Sequence, residues 1–146
     1  MEINQLTSRV IRAAINVHQQ LGPGLLESVY QQCMMIELQE MGHRVEAELS
    51  VPIRYKGKLI SQEGLRLDLL VEERVIVEIK SVEEVKPVHK KQLLTYLRLM
   101  GKSLGLLINF NVPYLRHGIE RIIDGDPFGG SMHLAEDLKE WVYQRE

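Results

Sequence analysis

Leu65-Arg66-Leu67-Asp68-Leu69-Leu70-Val71, then Glu72-Glu73-Arg74, then Val75-Ile76-Val77-Glu78-Ile79-Lys80: the reading of residues 65–80 decides the fold. Two apolar runs flank a charged triplet, which predicts two strands joined by a tight turn. The β-branched content of VIVEIK suits a central strand buried on both faces. Ionised side chains are rarely buried without partners, yet Asp68, Glu78 and Lys80 interrupt these runs. Burying them is costly unless something compensates. Glu78 and Lys80 are two apart on one strand and therefore share a face. With residues 72–74 as the turn, Asp68 lies directly opposite Glu78, with Cβ atoms roughly 5 Å apart. A two-residue turn would spoil that register. Two carboxylates at about 4 Å repel by on the order of 4 kcal/mol at an effective dielectric of about 20. A divalent cation removes that repulsion, and hard oxygen ligands suit Mg²⁺ or Mn²⁺. Such an ion activates water and polarises a phosphate. Lys80 beside it can orient the water or stabilise charge on phosphoryl oxygens. From spacing alone, a salt-bridged strand pair in which Lys80 neutralises one carboxylate explains the three residues equally well.

Outward from this hairpin, the pattern predicts a mixed α/β domain with helices on a central sheet. Residues 3–20 carry Ile3, Leu6, Val10, Ile11, Ala14 and Val17 at helical spacing, with Asn4 or Thr7 as cap. Gly22-Pro23-Gly24 breaks that helix. A second helix is expected from about Leu25 to Met41, its apolar stripe formed by Leu26, Val29, Cys33, Ile36 and Met41, with Gly42 as the stop. Alternation then predicts strand pieces on either side of Pro52, which marks an edge or a kink. Lys56-Gly57-Lys58 is a turn, and the strand from Leu59 to Val71 is bulged near Gly64. Pro87 opens a third helix that reaches about Met100, with Gly101 beyond it. LGLLINF (104–110) is a buried strand. Residues 112–123 fit a last strand or a short helix. Residues 124–130 read as a loop, and 131–145 as a final helix with Leu134, Leu138, Trp141 and Val142 on one face.

A chain of 146 residues makes one compact domain. No apolar run can span a bilayer, and the N-terminus lacks the features of a secretory signal. One cysteine, Cys33, cannot form an internal disulfide; it reads as a small core residue in a reducing, cytoplasmic setting. The formal charge is −2. Proteins that live on non-specific DNA binding are usually basic, so nucleic-acid affinity would need a local patch. Lys86, Lys90, Lys91, Arg98 and Lys102 flank the third helix and can contact a phosphate backbone or form a solvated face. The five histidines show no zinc-ligand spacing; His89 reads as a surface residue. Trp141 packs against the domain or against a second subunit, which would make a homodimer.

Two further constellations bear on chemistry. Glu27 follows the Gly-Pro-Gly break, with Tyr30 three residues on and hence on the same face. An acid there also simply suits a helix start. Gln92 and Tyr96 lie at i and i+4 on the third helix, where both can point at a phosphate, or Gln92 is solvated and Tyr96 partly core.

GLLESVY (24–30) matches the pattern that names the GxxExxY protein family. LDLLV, VEIKS, PVHKKQLLTYLRLMG and GLLINFNV also resemble that family, over roughly residues 5–123. The family is assigned to the PD-(D/E)xK nuclease superfamily, which implies a restriction-endonuclease-like core: a central mixed β-sheet flanked by helices. Residues 1–123 would form that domain, and 124–146 a loop and helix packed on it. The resemblance implies that Asp68 is the superfamily acid, that Glu78 and Lys80 are its E-x-K pair, and that Glu27 is its helical acid. Gln92 and Tyr96 resemble a Q-x₃-Y element. Leu67 stands where the motif's proline would be, a proline often missing in the superfamily.

The reading that follows is a Mg²⁺- or Mn²⁺-dependent nuclease acting on DNA. Asp68, Glu78 and the Ile79 carbonyl hold the metal, and Glu27 binds it directly, through water, or at a second ion. Lys80 acts on the attacking water, and Gln92, Tyr96, Tyr30 and Lys90 contact substrate. The rival reading is a non-catalytic module that keeps the fold to bind nucleic acid or protein. A third is metal-assisted hydrolysis of a small nucleotide in a closed pocket.

Overall fold

A computed structural model of the chain describes residues 1–125 and 131–132. Two helices open the chain, α1 (Ile3–Leu21) and α2 (Glu27–Glu40), followed by β1 (Val45–Tyr55), β2 (Lys58–Val71) and β3 (Val75–Lys80). Helix α3 (Pro87–Met100) leads to β4 (Leu104–Asn109), a 3₁₀ turn (Leu115–His117), β5 (Ile119–Ile123) and the two-residue β6 (Ser131–Met132). The strands form one sheet in the order β1-β2-β3-β4-β5-β6. Strands β3 and β4 are parallel and every other neighbouring pair is antiparallel. A parallel pair needs a crossover, and α3 supplies it.

The sheet separates two apolar cores. Leu69, Val71, Val75, Val77, Ile79, Leu106 and Ile108 pack with α1 and α2 on one face. Leu70, Ile76, Leu107 and Ile122 pack with Leu93, Leu94, Tyr96 and Leu97 of α3 on the other. Every side chain of β4 is buried, as its unbroken apolar run requires of a two-sided strand. Among the described residues, no helix is long and apolar enough to cross a membrane.

Several local expectations change. Helix α1 is capped by Glu2, whose N–H donates to Gln5 Oε1 at 3.2 Å, rather than by Asn4 or Thr7. Thr7 is buried and turns its hydroxyl to Ile3 O (2.8 Å). Helix α2 buries Tyr30, Met34 and Leu38, while Leu26, Val29 and Ile36 are exposed. Apolar residues surround this helix, so its sequence offers two competing stripes, and contact with α1 and the sheet selects the one at i, i+4, i+8. Cys33 is half-buried against the same core. The pieces on either side of Pro52 form one strand, and Pro52 is exposed on the edge strand β1. Ser131–Met132 pair with β5 rather than begin a helix; the rest of the expected C-terminal helix, Trp141 included, lies outside the described residues.

The β1–β2 hairpin changes faces part-way. Leu67 and Leu69 would share a face on a regular strand. Here Leu69 belongs to the α1–α2 core and Leu67 to the α3 core. The pairing passes from Ala47↔Leu69 to Leu49↔Leu67, and between them Glu48 takes φ 52°. Asp68 therefore sits where the ribbon turns over. Farther out, Val51 faces both Gly64 and Leu65, the bulge expected from the sequence. A Cβ on Gly64 would lie 1.9 Å from Val51 O, at φ +50°. We predict that Gly64→Ala lowers stability by about 1–3 kcal/mol, measured by urea unfolding; an unchanged midpoint would show that the bulge does not set the hairpin.

Candidate functional site

The turn at 72–74 has the length that the register requires. Val71 pairs with Val75, Leu70 with Ile76 and Leu69 with Val77. One step on, where Asp68 faces Glu78, side chains take over from the backbone ladder. The Asp68 N–H donates to Glu78 Oε1 (3.1 Å), and the Ile79 N–H donates to Asp68 Oδ2 (2.7 Å). Each carboxyl thus accepts from the main chain of the other strand, and a carboxyl–carboxyl hydrogen bond also links them.

That bond needs a proton. Burial first, then the Asp68 charge, push the Glu78 carboxyl up to about 8, with the Asp68 N–H and the Lys80 charge opposing. Asp68 is raised as well, chiefly by burial and slightly by Glu27; the Ile79 N–H, the bond to Glu78 and the Lys80 charge hold it down. The proton therefore belongs on Glu78, the more buried partner. Tyr96 is buried in the α3 core, close enough that burial, then the charges of Glu78 and Asp68, raise its hydroxyl. Lys80 is half-buried and acts on both acids through its charge, with no ion pair to either within 4.0 Å. The salt-bridged strand pair is accordingly not the arrangement found.

The remaining candidates divide. Glu27 is exposed at the first residue of α2 and reaches Asp68 only through its charge. No cluster of three or more His, Cys, Asp or Glu residues suited to a metal is formed among the described residues. Ile79 buries its side chain in the α1–α2 core, so only its main chain faces the acids. Gln92 is exposed one turn before Tyr96. Tyr30 cannot meet a substrate here: it is fully buried and stacked on Phe110 at 4.4 Å. Its hydroxyl donates to Gly22 O (2.6 Å) and accepts from the Leu25 N–H (3.1 Å), closing the Gly-Pro-Gly loop. Gly22 and Gly24 take φ 72° and 93° in that loop. Lys90 is also committed, to Glu120 on β5 at 3.1 Å, and Arg98 to Asp124 at 3.3 Å. Glu120 lies in the same cross-strand row as Glu78, two strands away, and Asp124 just beyond the end of β5, so both cations neutralise acids of the fold instead of standing free for phosphate. His89 accepts the Lys86 N–H (3.1 Å) at the start of α3.

Asn109 is a positioning residue that sequence reasoning missed. It is buried at the end of β4; its Oδ1 accepts the N–H groups of Val82 and Asn111 (3.1 Å each), and its Nδ2 donates to Val82 O (2.9 Å). It fixes the chain as it leaves Lys80, while Ser81 Oγ donates to Leu25 O (2.6 Å) and ties that exit to the Gly-Pro-Gly loop. A polar residue closing the apolar run LGLLIN was the available signal.

The family comparison falls on this geometry: the family model of the PD-(D/E)XK nuclease superfamily matches residues 4–122. The chain belongs to the PD-(D/E)XK nuclease superfamily. Its mixed sheet flanked by helices is the restriction-endonuclease-like architecture that membership entails. Neither a curated protein nor a solved structure matches it.

The raised Glu78 carboxyl has a consequence for folding. Unfolded, the group titrates near 4.5; folded, near 8. Between those values the folded state holds the extra proton, so its stabilisation is present at low pH and is lost as pH rises toward 8. We predict that wild-type unfolding free energy falls from pH 5 to pH 8 by an amount on the order of a few kcal/mol. Glu78→Gln should flatten that slope. Parallel urea-unfolding curves for the two proteins across this range would remove Glu78 as the group responsible.

Proposed function

We propose that the protein is a divalent-metal-dependent nuclease that hydrolyses DNA phosphodiester bonds, with Mg²⁺ or Mn²⁺ at Asp68 and Glu78. The observation that carries this reading is the reciprocal carboxyl pair, set at a strand fork in a member of a nuclease superfamily. The donor set suits a hard cation: the two carboxyls are hydrogen-bonded to one another through a shared proton, and a cation in that place would satisfy both. Mg²⁺ is commonly held by one or two carboxylates with water completing the shell, so two acids suffice. The main-chain carbonyl of Ile79 and a water on Glu27 are the further ligands we assign. The GLLESVY segment, with Glu27 at the helix start and Tyr30 closing the loop behind it, supports placing the chain in the GxxExxY group.

When bound, the ion supplies Lewis-acid polarisation of a phosphate and a water of lowered pKa. The chain's own residues do the rest. Lys80 holds its ammonium beside both acids, where it orients the attacking water and favours the anionic form of each carboxyl. Tyr96, close to the acids, and Gln92, one turn earlier at the surface, position the scissile strand for in-line attack. Buried acids among apolar neighbours also strengthen every charge contact made there.

Two measurements test this. Mg²⁺ or Mn²⁺ should raise the melting temperature of the wild type by mass action and leave Asp68→Ala unmoved; equal shifts would locate the ion elsewhere. Lys80→Met should fold, retain metal and DNA binding, and lose cleavage by orders of magnitude, each tenfold being about 1.36 kcal/mol. A nuclease panel of single-stranded, duplex, branched and nicked DNA plus RNA, with Mg²⁺ and with Mn²⁺, reads the result. A wild type inactive on every substrate, beside a Lys80→Met protein destabilised by about 3–5 kcal/mol, would favour a binding module with a structural lysine.

A further inference from the structure

Among the described residues, nothing buries the outer half of the β1–β2 hairpin. From residue 53 to residue 63 no side chain is buried. Tyr55, Leu59 and Ile60 are 65%, 44% and 63% exposed, and an isolated two-stranded ribbon is marginal in water without something to pack on. The tip is nonetheless well defined. Tyr55 pairs with Lys58 across Lys56-Gly57, whose φ values of 51° and 78° are those of a type I′ turn. This turn suits the twist of a two-stranded ribbon.

Charge and position say what the ribbon meets. Within residues 53–63 stand Arg54, Lys56 and Lys58 against the single carboxylate Glu63, in a chain whose formal charge is −2. None of the three cations forms an ion pair among the described residues, unlike Lys90 and Arg98. Lys56 Nζ lies 5.6 Å from the centre of the Tyr55 ring. Strands β2 and β3 are antiparallel and pair only over 69–71 and 75–77. The hairpin therefore projects from the end of the sheet at which β3 presents Glu78 and Lys80. Its base, Val51 and Leu67, packs in the α3 core, on the face that carries Tyr96. From Lys58 to Asp68 the strand advances ten residues at roughly 3.3 Å each, about 30 Å in all. One turn of B-form DNA is about 34 Å, and its major groove admits a two-stranded β-ribbon. The deep, narrow major groove of duplex RNA does not.

We propose that the hairpin tip around Arg54, Lys56 and Lys58 is a duplex-DNA contact arm that grips B-form DNA about one helical turn from the Asp68–Glu78 pair. The inference rests on the nuclease reading for its substrate class, and it names that class as duplex. Arm and acids then form the two ends of one footprint.

The test is binding, read without cleavage. Fluorescence anisotropy in EDTA measures affinity for DNA duplexes of 8, 14 and 24 base pairs, for a single strand and for duplex RNA. The variant is Arg54→Gln/Lys56→Asn/Lys58→Gln, in which asparagine suits the left-handed turn position; Arg54→Gln/Lys58→Gln serves if the triple variant melts early. Arg12→Gln, exposed on α1, is the charge control. Wild type should gain affinity between 8 and 14 base pairs beyond the count of added sites, and the triple variant should not. At 24 base pairs the variant should bind at least tenfold more weakly, with a log–log salt slope shallower by about 2–3, because each phosphate contact contributes about 0.9. The control should match wild type. Wild-type affinity and slope in the triple variant, an equal loss on single-stranded DNA or duplex RNA, or no duplex binding by wild type would each overturn the arm. A change of oligomeric mass in the tip variant without loss of DNA binding would reassign the tip to a protein contact. Cleavage assays with Mg²⁺ on the same preparations separate the two ideas. Tip-dependent binding without any cleavage counts against the nuclease and not the arm. Cleavage with tip-independent binding counts against the arm alone.

Discussion

Between Val71 and Val75 the chain has three residues in which to reverse, and that length fixes which residue of β2 faces which residue of β3. A one-residue change would slide every pair and send alternate side chains to the wrong face. The turn is costly as built: Glu72 and Glu73 both take positive φ, at 52° and 56°, where residues with a Cβ are uncommon. Neighbouring contacts hold it. The Glu72 N–H donates to Arg44 O (2.8 Å), the Arg44 N–H donates to the Glu72 carboxylate, and the Arg44 guanidinium pairs with Glu73 at 2.7 Å. The strained turn is thus braced by Arg44, the residue just before β1. Register in the inner hairpin depends on the outer one, and the acid pair depends on both.

From that register the rest of the site follows. Asp68 is where the β1–β2 ribbon turns over, with Glu48 at φ 52° beside it, so backbone ladder bonds are not available there. The N–H groups left over by the splaying strands are taken by the two carboxyls, and the acids stitch the fork that the twist opens. Behind the fork, Tyr30 and Asn109 fix the two segments that converge on it, the Gly-Pro-Gly loop and the exit from β3. Neither residue touches the acids, yet Ser81 joins their two segments. A loss at either would loosen the angle at which Glu27 and Lys80 approach.

Much of this was legible in the sequence. Strand and helix periods placed β2, β3, α3 and β4, and turn length alone placed Asp68 opposite Glu78, because geometry between adjacent strands is set locally. What escaped depends on contacts distant in the chain. Helix α2 has apolar residues all round, so only packing decides that Tyr30, Met34 and Leu38 go inside while Leu26 and Ile36 do not. Tyr30 shares a face with Glu27 at three residues' spacing, which suggested a shared ligand; the stacking on Phe110, eighty residues away, shows a different use. Lys90 read as a free cation because its partner Glu120 lies on β5, two elements later. The change of face at Asp68 had no turn-forming residue to announce it, since Glu48 takes the left-handed conformation without glycine.

A buried carboxyl pair has two ways to shed its repulsion, and they lead to different proteins. A proton makes the pair a neutral hydrogen bond that helps the fold at low pH, and a cation makes it a site. With Glu78 raised to about 8, the proton form is available at neutral pH. The Lys80 charge works in the other direction, holding both acids below where burial alone would put them. A chain selected only for stability would gain by replacing Lys80 with an apolar residue and keeping the shared proton. Retaining a half-buried ammonium that bonds neither acid directly and favours their ionised forms makes sense if the ionised pair is the one with work to do. The same division appears in the cations: Lys90 and Arg98 on α3 are paired with Glu120 and Asp124, whereas Arg54, Lys56 and Lys58 at the hairpin tip form no ion pair among the described residues.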